Sequence, residues 1–167
     1  MLSLNLIGID ADLFTQSRQQ LAGELVLSEL DSRVSGHELL LDANDRLAYR
    51  LTGGVDRWQR PFVDIEVSGQ VHLQCQRCLR AMTQTLNESA HMVLFADEQA
   101  LDEAMLADDA LDGAVFEAQI NAQTLLEDQI LMALPFSPKH DECSEDMPAQ
   151  SDKTHPFAAL AALTDKQ

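Results

Sequence analysis

The sequence predicts an α+β fold, with an antiparallel β-sheet or partly open barrel-like core and a few short flanking helices. Three observations predict it. Val63, Ile65, Val67, Val71, Leu73 and Cys75 alternate with polar residues, the two-residue period of a half-buried strand. Residues 80–96 return in the same period, with Met82, Leu86, Ala90, Met92 and Leu94 in phase. Leu125, Leu126, Ile130, Leu131 and Leu134 then space at helical intervals until Pro135, which cannot continue a helix.

Taken in order, residues 11–22 predict a short helix with Leu13, Phe14 and Leu21 on one side, and residues 24–27 a short extended segment. Residues 37–51 predict a hairpin, in which Glu38–Leu41 and Leu47–Tyr49 flank a turn at Asp42-Ala43-Asn44-Asp45. Gly53-Gly54 permits another reversal, and Gly69 fits a bulge or bend within the long strand. Residues 98–105 predict a short acidic helix, followed by an Asp-rich loop over 106–113. Asn121 fits the N-cap of the last helix, with Glu127 and Asp128 near the positive end of its dipole. Residues 1–135 thus form a single α+β domain. Residues 136–167 form a loop-rich C-terminal extension, whose Pro156–Leu163 stretch supplies a short docking helix.

Composition bounds the function. With 46% hydrophobic residues in 167, the chain is long enough for one buried core. Residues 1–8 lack a basic stretch of the secretory type, and no apolar run approaches the length of a bilayer crossing; a cytoplasmic protein is expected. The net charge of −17 is uneven: residues 1–80 hold 11 acids and 8 arginines, and residues 81–167 hold 17 acids and 3 lysines. No Lys or Arg lies between Arg80 and Lys139. Such a surface repels phosphate backbones and attracts basic partners, among which ribosomal proteins are prominent. The same charge also serves solubility alone.

The chemistry-bearing motif is Cys75-Gln76-Arg77-Cys78-Leu79-Arg80, at the turn between the two long strands. Two thiolates at this spacing reach one metal ion, and zinc needs two further ligands. His140-Asp141-Glu142-Cys143 is the compact source, giving a Cys3His site of Cys75, Cys78, His140 and Cys143. The competing reading makes Cys75 a buried core residue and Cys78 idle. A thioredoxin-like role fits less well, because that motif opens a helix. Arg77 and Arg80, with Arg46, Arg50, Arg57 and Arg60, offer a modest basic edge for RNA or a partner, or pair with acids such as Asp45, Asp56 and Asp64. There is no Gly-rich phosphate loop, Gly-x-Ser-x-Gly or His-Glu-x-x-His, and no histidine stands at useful spacing from the carboxylates; the sequence carries no enzyme signature.

The segment Val67-Ser68-Gly69-Gln70-Val71-His72-Leu73-Gln74-Cys75-Gln76-Arg77-Cys78-Leu79 resembles the signature of the YceD family, the large ribosomal RNA subunit accumulation proteins. Leu125–Pro135, His140–Cys143 and Pro156–Leu163 resemble it in the same order, so the likeness spans essentially the whole chain. Two departures stand out. Family members of other lineages carry further cysteines near the C-terminus, one of them at the place of His140, and Thr164-Asp165 stand where a basic residue is expected. The resemblance favours the metal reading. It implies a bacterial, non-enzymatic accessory factor in large ribosomal subunit biogenesis that supports accumulation of 23S rRNA. The partner expected is a basic ribosomal protein or a large-subunit precursor, with direct RNA binding left open. Two other readings stand beside it: a metal- or thiol-dependent enzyme acting on RNA, and an interaction module for a protein outside the ribosome.

Overall fold

The computed structural model describes residues 6, 8–115 and 118–143. The fold is α+β, built on an open five-stranded sheet in the order β2 (Gln20–Val26), β3 (Arg46–Val55), β4 (Pro61–Gln74), β5 (Ala81–Phe95), β6 (Asp112–Val115), with no barrel closure among the described residues. A two-stranded ribbon pairs β1 (Ile9–Asp10) with β7 (Gln119–Ile120). The expected helix at residues 11–22 is shorter. Helix α1 (Ala11–Gln16) starts where Asp10 accepts a hydrogen bond from the Leu13 N–H, and ends as Arg18 turns to a positive φ of 50°. The chain then enters β2 (Gln20–Val26), which takes in residues 24–26 of the extended segment expected at 24–27; Leu27 instead opens a 3-10 turn over Leu27–Glu29.

The hairpin expected over residues 37–51 does not form. After a four-residue helix α2 (Ser32–Ser35), residues 39–41 lie against the end of β4 (Pro61–Gln74), with Leu40 bridging Leu73 and Leu41 N–H bonding His72 O at 2.8 Å. Residues 42–45 make a detour without reversing the chain. Strand β3 (Arg46–Val55) then continues along the same edge of β4, with Leu47 opposite Gly69 and Val55 opposite Pro61. Both segments are extended as their composition suggests, but they share a partner instead of pairing with each other. Asp45 holds the detour: His72 donates its backbone N–H and ring Nδ1–H to the two carboxylate oxygens at 2.6 and 2.7 Å.

Gly53-Gly54 is not a reversal either; the pair lies inside β3, and the turn comes at 56–60. A β-carbon at Gly53 would collide with the carbonyl oxygen of Phe14, and one at Gly54 with the Phe62 ring. The glycines let α1 and the next strand approach the sheet backbone.

The long strands match their periodicity. β4 buries Val63, Ile65, Val67, Val71 and Leu73, and β5 (Ala81–Phe95) pairs with it one-to-one from Gln74–Ala81 to Phe62–Val93. Gly69 sits in that ladder at φ 153°, without a bulge. Helix α3 (Glu98–Ala107) follows, capped by Asp97. The Asp-rich stretch is only partly loop: Asp112–Val115 form β6, parallel to the end of β5.

Helix α4 (Ala122–Ala133), capped by Asn121, lays Leu126 and Ile130 into the core at 0% exposure. Glu127 and Asp128 fall in its middle turns, beyond the reach of a terminal dipole effect. Glu127 is instead buried and accepts from the Asp31 backbone and the Gln123 amide, tying α4 to α2. No helix among the described residues is long and apolar enough to cross a membrane. The expected docking segment at 156–163 lies outside the described residues.

Candidate metal centre

The four residues singled out by spacing converge. The β4–β5 turn folds back on itself: Cys75 N–H bonds Arg80 O at 2.9 Å, Leu79 N–H bonds Cys75 O at 2.9 Å, and Leu79 adopts a φ of 60°. This knuckle turns both sulfurs to one side. The segment after α4 reaches it through the Gln76 N–H, which bonds Pro138 O at 2.8 Å. His140 and Cys143 then face the two cysteines across a chain separation of more than sixty residues.

The four ligand atoms lie close enough together to share one ion. One ligand atom from each of Cys75, Cys78, His140 and Cys143 lies within 4.8 Å of every other. The sulfurs of Cys75 and Cys143 are 3.8 Å apart, and Cys78 Sγ is 3.4 Å from His140 Nδ1. A tetrahedral ion bonded to sulfur at about 2.3 Å and to nitrogen at about 2.0 Å sets edges of about 3.8 Å and about 3.5 Å. The observed separations match both edges, so the four residues fit a metal ion.

The surrounding groups orient these ligands. His140 donates its Nε2–H to the carbonyl oxygen of Ala81 at 3.2 Å, because a carbonyl can only accept. In the neutral ring this leaves the Nδ1 lone pair aimed at the site. Arg77 donates from Nε to Cys143 Sγ at 2.9 Å and from a terminal nitrogen to His140 O at 3.1 Å. Arg77 is therefore engaged in holding the 140–143 segment, a role that a charge pattern alone does not reveal. Arg80 is exposed at the end of the knuckle.

The electrostatics suit a cation. Burial pushes the fully buried Cys75 thiol up, but backbone N–H groups of Cys78, His140 and Arg77 outweigh it and bring its pKa to about 5. At Cys78 the Arg80 N–H favours the thiolate. Burial and the neighbouring sulfurs of Cys75 and Cys143 work the other way, and the net shift is upward. A second thiolate beside the first is disfavoured until a positive ion stands between them.

The other arginines mostly find acids, though not always the expected ones. Arg60 pairs with Asp56 at 2.8 Å, Arg50 with Glu66 at 3.2 Å and Arg46 with Glu24 at 3.9 Å. Asp45 and Asp64 bind His72 and His91 instead, so these histidines are not isolated from carboxylates as the spacing implied. Strand pairing sets Asp64 opposite His91, and the detour before β3 brings Asp45 to His72, each across 27 positions, which local spacing cannot show.

A family model described as large ribosomal RNA subunit accumulation protein YceD matches residues 63–164, more than half of the chain. The chain belongs to this family. All four candidate ligands lie within the matched span. No solved structure matches the chain.

Proposed function

We propose that this YceD-family protein is a cytoplasmic, non-enzymatic accessory factor that supports accumulation of 23S rRNA by holding a basic ribosomal protein or a large-subunit precursor. The family's name supports a role in large-subunit rRNA accumulation. The observation that carries the binding mode is the charge distribution. Residues 81–138 form β5, α3, β6 and α4 without one Lys or Arg, so this half of the molecule presents carboxylates to its surroundings. Such a surface favours cationic protein over phosphate backbone.

Zinc is the ion we assign to Cys75, Cys78, His140 and Cys143. Bound there, it would cross-link the β4–β5 turn to the segment after α4 and contribute folding energy. Four protein ligands complete a tetrahedron and leave no position for a reacting water, which argues for a structural site over an RNA-cleaving metal centre. Arg77 and Arg80, both exposed on the knuckle, are the residues of this motif we assign to contact with RNA or the partner.

Deletion of the gene tests the reading. Reduced 23S rRNA and a deficit of large-subunit particles on a gradient are expected, restored by the intact chain. Unchanged rRNA and particles would refute it.

A further inference from the structure

Strand β5 is 15 residues long, yet β6 covers only Met92–Phe95 of its outer edge. Among the described residues, no strand pairs with that edge over residues 81–91, while β4 occupies the inner edge throughout. An edge of this kind leaves a row of backbone donors and acceptors facing outward. Proteins usually blunt such an edge with Lys, Pro, a bulge or a covering segment. Residues 81–91 contain no Lys, Arg, Pro or Gly, and their ladder to β4 runs without a bulge. The opposite edge strand, β2, is half as long and interrupted by Gly23.

Both ends of this open edge are marked. At one end His140 of the metal centre bonds the Ala81 carbonyl. At the other a cleft of about 610 Å³ opens between Glu88–His91, the turn leading into β6, and the exposed side chains of Trp58 and Met132. Glu88, Asp108 and Asp112 line it, and no lysine or arginine pairs with them among the described residues. The Trp58 ring, 60% exposed, already carries two guanidiniums, from Arg57 at 3.8 Å and from Arg60 at 4.6 Å, and Arg60, which also lines the cleft, is neutralised by Asp56.

We propose that the open edge of β5 takes up an extended, cationic segment of a partner protein as an added strand. The backbone of residues 83–91 supplies the pairing, and Glu88, Asp108 and Asp112 receive the partner's Lys and Arg side chains. The edge is about 27 Å long, room for eight or nine residues of extended chain. Charge decides among occupants. The chain's own residues 144–167 hold four acids and two lysines, a second copy brings a net charge of −17, and RNA brings phosphates; each is repelled by the same carboxylates. The inference rests on the reading that the partner is a basic protein, and adds where and how it is held.

The probe is a synthetic eight-residue peptide alternating Arg and Val, added at low salt to the full-length ¹⁵N-labelled protein. The amide signals of residues 83–91 should shift and their hydrogen exchange should slow. N-methylation of alternate peptide nitrogens should weaken binding at least about tenfold, as should the double variant Glu88→Lys/Asp112→Lys. Shifts confined to other regions, or equal binding of the N-methylated peptide, would overturn the inference. So would slow exchange, in the free protein, of those alternate amides of 83–91 that do not bond β4, which would mean that its own tail or a second copy already covers the edge. A single-stranded oligonucleotide shifting those amides in place of the peptide would do the same. If the double variant still captures basic large-subunit proteins with unchanged affinity, the edge is overturned while the functional reading stands. Binding of the peptide to the edge in a protein that captures no large-subunit component would support the edge and count against the functional reading.

Discussion

Arg77 Nε lies 2.9 Å from Cys143 Sγ, on the ligand most distant in sequence from the knuckle that carries Arg77. Its guanidinium also bonds the His140 carbonyl, so one cation holds the segment that supplies half of the candidate ligands. Arg77→Ala should lower zinc affinity about 10–100-fold without removing a ligand, as lost outer-shell partners do. Arg77→Lys should recover part of the loss, because it keeps the charge but not the fork. Competition with a chromophoric chelator measures this, and unchanged affinity in Arg77→Ala would refute the positioning role.

Metal removal should be felt in stability. With a strong chelator the protein's melting midpoint should fall by at least about 5 °C, since a structural site contributes several kcal/mol. The double variant Cys75→Ser/Cys78→Ser should start low and show no further response. A wild-type midpoint indifferent to chelator and to added zinc would contradict a structural metal at this site.

At Gly53 the sheet and helix α1 meet without room for a methyl group, because Phe14 O occupies the place of a β-carbon. Gly53→Ala should cost about 1–3 kcal/mol through forced displacement of α1. Urea unfolding of the Gly53 variant gives the value; a change within about 0.5 kcal/mol would remove the close-packing account.

His72 is bound through its ring to Asp45, and this hydrogen bond, with the attraction of the same carboxylate, raises its pKa above the ordinary 6.5. The protonated ring is therefore favoured in the folded state. Its contribution is fully present below about pH 6.5 and is lost as pH rises through the raised folded value. The melting midpoint of wild type should exceed that of His72→Gln by more at pH 6 than at pH 8.5. A difference that is flat or grows with pH would contradict this sign.

The two longest strands were legible because one face of each is buried, which forces the two-residue period seen from Val63 to Leu94. Pairing was less legible. Residues 39–41 and β3 both look extended, and nothing local says that they share β4 instead of facing each other. Gly53-Gly54 resembles a turn in composition, yet its small size serves the approach of Phe14 and Phe62, residues placed by tertiary packing. The short β6 was hidden in an Asp-rich stretch because four residues give too little pattern to count. The two halves of the Cys75, Cys78, His140 and Cys143 cluster were readable as Cys-x-x-Cys and His-x-x-Cys, since each half is a local motif. The Arg77 clamp was not, because it depends on the two halves meeting.

The most direct test sets a purified, strongly basic large-subunit ribosomal protein against a naked 23S rRNA fragment for binding to the full-length chain. Measured by calorimetry at two salt concentrations, the acidic half should bind the basic protein, more weakly at the higher salt, and leave the RNA free. Tight binding of the RNA with no affinity for the basic protein would contradict the account.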